Sequence, residues 1–327
     1  MKDYTVAVII PTLNEEFFIE SCIHSIKKQT YPFEKMDVMV IDGGSKDKTR
    51  SIVQHMSDES PNIRLIDNPG KIQSIAFNIG VKESSAPYIV RLDAHASYDS
   101  HYIELCISHL KSDESYGNVG GICHILAPKK SIIAEANAIL NKVKFGIGGA
   151  AFRVGTKSAF VDSVPFGAFS RTVIEKVGGM REDLARGEDN EINSRINKFG
   201  YKIFMDPAIV STYYCRATAG GSAKQMYKNG LSIGKLLYID RDSVGLRHMI
   251  PLLFVLALIF CFLFSWYTPI FYLGIVTLAA YSFAAFLATI DACIKFGAKY
   301  FIVLPWLFFL IHISYGWGTI IGILRGK

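Results

Sequence analysis

Residues 4–15 read YTVAVIIPTLNE: an apolar, β-rich run, Tyr4–Ile10, that ends in the polar turn Pro11-Thr-Leu-Asn-Glu15. Three further runs end the same way. Met36–Ile41 leads into Asp42-Gly-Gly-Ser45, Ile63–Ile66 into Asp67-Asn-Pro-Gly-Lys71, and Tyr88–Leu92 into Asp93-Ala-His95. Between the runs lie Phe17–Lys28, Lys48–His55 and Ile72–Lys82, whose apolar positions recur at helical spacing. Short strands alternating with helices predict an α/β fold built on a parallel sheet with crossovers. In an open sheet of this kind ligands collect at the carboxyl ends of the strands, so the four polar turns converge on one edge.

Beyond residue 95 the pattern is mixed. Tyr102–Leu110 and Ile132–Val143 read as helices, Val119–Leu126 and Val161–Phe169 as strands, and Gly146-Ile-Gly-Gly149 as a loop that bends freely or approaches something closely. Val173–Val177 and Glu188–Lys198 read as helices, Tyr201–Met205 and Ile209–Tyr214 as strands, and Ser222–Ile239 as an interfacial helix with lysines set among apolar residues.

Composition then divides the chain. Half of the 327 residues are apolar and a fifth are charged, yet Met249–Ile290 contains no Asp, Glu, Lys or Arg. That stretch is long enough for two helical crossings of a ~30 Å hydrocarbon core. The expected organisation is a globular domain over 1–215, a basic amphipathic segment over 216–248, and an anchor over 249–327. Within the anchor, 249–267 and 270–290 are expected to span, and 300–324 either crosses or, through Pro305, Gly316 and Gly318, bends back as a re-entrant or interfacial element. Basic residues before the first span and after the second place both ends in the cytoplasm by the positive-inside rule, whereas Arg325 and Lys327 would lie outside if the third stretch crossed. Of the formal charge of +6, the segment beside the membrane supplies +4, since Arg216, Lys224, Lys228, Lys235, Arg241 and Arg247 face only Asp240 and Asp242, while residues 1–215 are net −1. This argues against nucleic acid as a partner and for membrane lipid or a lipid phosphate. The six cysteines are scattered without a C-x-x-C pair, which suggests neither a zinc site nor a disulfide framework.

Three segments carry chemistry. Asp42 ends a strand ahead of two glycines, where a carboxylate either receives hydrogen bonds from a ligand or caps the next helix. Asp93-Ala-His95 offers a carboxylate and an imidazole on alternate residues, a set able to share a divalent ion with a diphosphate. Glu188-Asp189 opens a helix, where acids favour the helix dipole or, facing a pocket, accept a proton from an alcohol. None of the three decides alone.

In combination, order and spacing they resemble the family 2 glycosyltransferases, inverting enzymes of the GT-A fold, a Rossmann-like nucleotide-binding architecture. The resemblance is carried by Pro11-Thr-Leu-Asn-Glu15, the Asp42 turn, Asn68-Pro-Gly-Lys71 through Asn78-Ile-Gly80, Asp93-Ala-His95 and Gly187-Glu-Asp189. A narrower likeness, to the membrane-anchored branch that builds succinoglycan-type exopolysaccharide on lipid carriers, rests on Arg91–His95, Val161–Phe169, Glu188–Glu191, Gln225–Gly230 and His312–Gly316. It implies that Pro11, Thr12, Glu15 and Asp93 line a nucleotide pocket, that Asp42 contacts the base with Lys71 nearby, and that Asp93 and His95 hold Mg²⁺ or Mn²⁺. Asp189, with Glu188 beside it, would supply the base. Phe166, Gly167, Arg216, Lys224 and Lys228 are expected on the acceptor side.

The implied activity is transfer of one sugar from a nucleotide sugar, expected to be a UDP-sugar, to a polyprenyl-pyrophosphate-linked acceptor, with the catalytic domain on the cytoplasmic face. A polyprenyl-phosphate sugar synthase is the alternative within the same chemistry. A processive synthase is disfavoured because no Q-x-x-R-W follows Asp189, and a membrane carrier because the anchor segments hold no acidic or basic side chain within a span.

Overall fold

The computed structural model describes residues 4–147 and 149–326. Its elements, in chain order, begin with β1 (Val6–Thr12), α1 (Ile19–Lys27), β2 (Met36–Asp42), α2 (Thr49–Glu59), β3 (Ile63–Asp67), α3 (Gln73–Glu83) and β4 (Tyr88–Arg91). Next come β5 (Ala96–Tyr98), α4 (Tyr102–Ser112), β6 (Tyr116–Leu126), α5 (Ile132–Leu140), α6 (Lys144–Ile147), α7 (Ala151–Val154) and β7 (Ala159–Phe160). They close with β8 (Ala168–Ser170), α8 (Arg171–Val177), α9 (Glu188–Lys198), β9 (Lys202–Tyr214), α10 (Ala219–Ile239), α11 (Ile250–Leu263), α12 (Thr268–Phe296) and α13 (Val303–Arg325).

The chain forms two compact units, Met1–His124 with Ala150–Tyr213, and Ile125–Gly149 with Tyr214–Lys327. The segment 125–149, read from sequence with the globular domain, thus groups with the C-terminal helices. Its α5 shares an apolar core with α12 and α13 through Ile139, Leu140, Leu304, Leu307 and Phe308.

In the first unit the sheet order is β3-β2-β1-β4-β8-β6-β9-β5, with β7 also on β9. The four strands on the β3 side are parallel, as the alternation of strands and helices predicts, whereas β8 joins β4 in antiparallel register. Every residue of β1 and β2 is buried, the mark of central strands covered on both faces. α3 can lie close to β1 because residue 80 is glycine, where a Cβ would stand 2.6 Å from Ile9 Cγ1.

Two strand boundaries differ from the sequence reading. Val161–Phe169 is mostly loop, because Pro165 cannot join a ladder and Phe166 has a φ of +48°, leaving β7 and β8 as short pieces on either side. The two expected strands at the end of the domain are one continuous β9 that runs through Pro207. The loop 146–149 includes residue 148, outside the described residues; Gly146 itself lies within α6.

The second unit holds three helical stretches long and apolar enough to cross a membrane, Leu246–Leu263, Thr268–Phe296 and Val303–Arg325. Against the expected spans, α12 runs on past 290 to Phe296, its last turns stabilised by a Lys295–Asp291 ion pair at 2.8 Å. α13 is a single helix through Pro305, Gly316 and Gly318, so the bend at these residues that is the alternative to a crossing does not occur. His312 donates through Nε2 to Gly146 O at 3.2 Å and accepts at Nδ1 from Tyr281 at 2.8 Å, which satisfies both nitrogens of a half-buried imidazole.

Gly121 is the tightest backbone approach within the sheet, since a Cβ there would collide with the carbonyl of Ile209. Gly121→Val is expected to destabilise the folded chain by at least ~1–3 kcal/mol, the range for overpacking. Thermal unfolding in detergent measures this. Gly220→Ala, which has open space around it, should leave the midpoint unchanged.

Candidate active site

The turns after β1, β2 and β3 are stitched together by backbone bonds, Gly43 N to Thr12 O and Asn68 N to Asp42 O, both 2.8 Å. Gly43 lies against Lys71, whose own φ of +62° is imposed by the Asn68-Pro-Gly-Lys71 turn. In that turn Asn68 Oδ1 accepts from the N–H groups of Gly70 and Lys71. Asn14, φ +55°, binds the Asp42 turn from the other side, through Ser45 Oγ and Lys46 N.

Asp42 is buried and fully engaged. Its carboxylate accepts from the N–H groups of Gly44 and Ser45 at 3.0 Å, from the Ser45 hydroxyl, and from Arg50 Nη1 at 2.8 Å. Burial pushes its acidity down, but the Ser45, Arg50 and backbone donors outweigh burial and hold it below the usual carboxylate range. The carboxylate therefore organises its own turn and does not cap α2, which has no side-chain cap bond at its N-terminus.

The turn after β4 is closed by Tyr98, whose hydroxyl receives Asp93 N at 2.7 Å and donates to Asp93 O at 3.1 Å. His95 Nδ1 donates to Glu15 Oε1 at 2.9 Å, and the ring meets Tyr213 edge-on at 5.1 Å. A carboxylate behind an imidazole is the arrangement that orients a metal-binding histidine. Among the described residues no three His, Cys, Asp or Glu side chains gather into a metal cage. A single carboxylate with an oriented imidazole suits a divalent ion that takes its other ligands from a diphosphate and water.

Arg91, at the last position of β4, binds the acidic groups together; the sequence reading has it only as the first residue of the Arg91–His95 motif, with no role of its own. Nη1 donates to both oxygens of Asp189, at 2.7 and 2.8 Å. Nη2 donates to Gln73 Oε1 at 3.0 Å and Asp93 Oδ1 at 3.1 Å, and lies 3.9 Å from Glu188. Burial alone would ease deprotonation of the guanidinium; the charges of Asp189, Asp93 and Glu188 more than reverse that and keep it ionised.

The two acids that open α9 have opposite surroundings. The side chain of Asp189 is 43% exposed, that of Glu188 5%. Burial, and next the charge of Asp189, push Glu188 up to about 7 against the pull of Arg91. Gly187, in the left-handed region at φ +80°, sets the start of α9. The loop before it is pinned to α3 by Asn78, which donates to Met180 O at 2.8 Å and accepts from Met180 N at 2.8 Å.

Phe166 is a correction to the sequence reading. Its ring is buried edge-on against Tyr98, and its carbonyl accepts from Tyr102 at 2.6 Å, so it packs the site from behind and has no surface for an acceptor. Gly167 receives Arg91 N on its carbonyl at 3.0 Å and leaves no room for a Cβ beside Asn118. Arg216, Lys224 and Lys228 belong to the second unit, where all three are exposed.

Comparison with known proteins gives the same assignment as these motifs. The chain is 27% identical over 98% of its length to the dolichyl N-acetyl-alpha-D-glucosaminyl phosphate 3-beta-D-2,3-diacetamido-2,3-dideoxy-beta-D-glucuronosyltransferase of Methanococcus voltae, of which it covers 98%. It is 31% identical over 75% of its length to the succinoglycan biosynthesis protein ExoA of Rhizobium meliloti, covering 74% of that protein. The fold matches the mannosyltransferase PcManGT of Pyrobaculum calidifontis, solved with GDP-Man and Mn²⁺, at a TM-score of 0.61 and 20% identity, over 96% of this chain and 87% of the other. The glycosyl transferase family 2 model matches residues 7–178, more than half of the chain, and the protein belongs to that family.

Proposed function

We propose that this glycosyltransferase moves a single sugar from a nucleotide sugar, a UDP-sugar by our reading, to a polyprenyl-linked glycan acceptor, with inversion at the anomeric carbon. One observation carries the reading: Asp93 and Asp189 are tied to the same buried guanidinium, so the donor turn and an exposed carboxylate are fixed in one geometry. The names of the relatives support a lipid-linked acceptor and extracellular glycan assembly. Three apolar helices support membrane attachment, with the α11–α12 hairpin crossing and the catalytic unit facing the cytoplasm.

In this mechanism Asp189 is the base. Its exposed carboxylate accepts the proton of the acceptor hydroxyl as that oxygen attacks the anomeric carbon. The bond to the diphosphate breaks with its electron pair remaining on the leaving group. Arg91 fixes the direction of the Asp189 oxygens, and the N-terminal end of α9 favours the negative charge before proton transfer. Glu188 is 5% exposed and sealed away from an acceptor; its place is beside Arg91, behind Asp189. A divalent ion held by Asp93 and His95 would neutralise charge on the leaving diphosphate. Pro11, Thr12, Glu15, Asp42 and Lys71 form the nucleotide side by virtue of the stitched turns.

The defining experiment incubates purified full-length protein with a panel of sugar nucleotides and a defined lipid-pyrophosphate sugar, following nucleoside diphosphate release and product mass. Transfer to the sugar-bearing lipid is expected. Equal use of bare polyprenyl phosphate would establish the sugar-phosphate synthase instead.

Asp189→Asn should leave nucleotide binding intact and lower kcat by at least ~100-fold, the usual scale for a lost general base. Near-normal turnover would remove Asp189 from this role. A chelator should abolish transfer, and Asp93→Ala should weaken donor binding together with rate; full activity of protein shown metal-free by elemental analysis would refute the metal's part. Glu188 gives a stability test. Its folded value lies above its unfolded one, so the native state holds the extra proton, and stability is fully present below about 4.5 and is lost as pH rises through about 7. The unfolding midpoint should therefore fall between pH 5 and 8, and Glu188→Gln should remove that component of the slope.

A further inference from the structure

α13 is roofed along its length by elements that bear charge. Over its first half, Leu304, Leu307, Phe308 and Ile311 share an apolar core with Ala136, Ile139, Leu140 and Val143 of α5 and the turn after it. Glu135 of α5 accepts from Lys299 Nζ at 2.6 Å and from the Tyr300 hydroxyl at 2.7 Å, just ahead of α13. Over its second half α13 runs beside α10. A Cβ on Gly318 would collide with Tyr227 O, on Gly322 with Leu231 O, and on Gly230 with Tyr315 O, while one on Gly234 would stand 2.5 Å from Thr319 O. Tyr238 then donates to Ile323 O at 3.1 Å. Each step of four along α10 meets a step of four along α13 in ascending order. The two helices are therefore parallel, in backbone contact, with four glycines between them. They share one depth: either both cross the bilayer or neither does.

The outer faces decide which. On α10, Lys224, Lys228 and Lys235 fall on one stripe at helical period, opposite Met226, Gly230 and Ile233, and the first two are exposed. On α13, Trp306, Trp317 and Leu324 form one exposed stripe, away from Gly318 and Gly322, whereas Phe309 and Gly316 meet Phe254 and Pro251 of α11. If the pair crossed, Lys228, in the middle of the 21-residue α10, would face hydrocarbon. If the pair lies flat, the lysines meet headgroups and water, the α13 stripe meets acyl chains, and both tryptophans sit at the interface they favour. Every end also carries a cation near it: Arg216 before α10, Arg241 and Arg247 after it, Lys299 before α13 and Arg325 at its end.

We propose that α10 and α13 form a two-layer pair lying in the plane of an anionic lipid surface, α13 beneath and α10 above, and that only α11 and α12 cross. This rests on the membrane attachment proposed above and is independent of the transfer reaction. Arg325 is then on the same side of the membrane as α10, in agreement with the positive-inside rule that a third crossing would break.

The test uses the full chain in sealed vesicles and a membrane-impermeant maleimide. The native cysteines are buried except for the half-buried Cys293, so the parent chain gives the background. Three exposed positions are read in separate variants, Lys224→Cys in α10, Ser265→Cys between α11 and α12, and Arg325→Cys. Lys224→Cys and Arg325→Cys should label from one side and Ser265→Cys from the other. Labelling of Arg325→Cys together with Ser265→Cys would overturn the proposal. Labelling of all three from one side would show instead that the hairpin does not cross, which is a failure of the membrane reading itself. A second measurement avoids the cysteines: in a Trp266→Phe chain, lipids brominated near the headgroup should quench Trp306 and Trp317 fluorescence more than lipids brominated near the chain ends. Equal or deeper quenching by the latter would also refute the flat pair.

Discussion

A guanidinium surrounded by carboxylates in a buried place is the constraint on which the catalytic unit depends. Removing Arg91 from water carries a penalty of several kcal/mol, and it is tolerated because Asp189 and Asp93 meet it with direct hydrogen bonds and Glu188 lies just beyond. The same pairing keeps two acids together on adjacent elements that would otherwise repel each other. Everything nearby serves that geometry. Gly167 fixes the backbone of Arg91, Tyr98 closes the turn carrying Asp93, and Asn78 ties down the loop that delivers Asp189. Arg91 Nε, buried, has no hydrogen-bond partner among the described residues, so the junction is not fully satisfied as it stands. A buried group of this kind marks a site whose geometry is set by function more than by stability.

The backbone framework of this site was legible in the sequence because its signals are local. A strand that ends in Asp-Gly-Gly or Asn-Pro-Gly-Lys has few conformations open to it, and the stitched turns after β1, β2 and β3 realise them. Arg91 stands in the Arg91–His95 motif, but its role was not legible. In a strand it differs from its neighbours only by the face its side chain takes, and a charged residue at a strand end ordinarily points to water. The division of labour at Glu188-Asp189 was hidden for a similar reason. Successive helical positions differ by about 100° around the axis, so one of the pair turns inward, and only packing decides which. Phe166 went the other way: its place in a conspicuous motif suggested contact with a ligand, yet its positive φ and buried ring make it part of the wall behind Tyr98.

In the second unit hydropathy marks which helices are long and apolar enough to cross a membrane, but says nothing of how they pack on one another. Length and apolar content treat α11, α12 and α13 alike, because both measures describe one helix at a time. The information that separates α13 lies in glycines spaced four apart on two segments some ninety residues distant in sequence. In an isolated helix each would weaken it by about 1 kcal/mol relative to alanine. Here they remove the side chains that would keep two backbones apart, so dispersion contacts along the shared face offset that loss. A helix bound this closely to a partner takes on the partner's requirements for solvent. The lysines of α10 therefore constrain α13 as firmly as its own residues do, although α13 itself has no charge before Arg325.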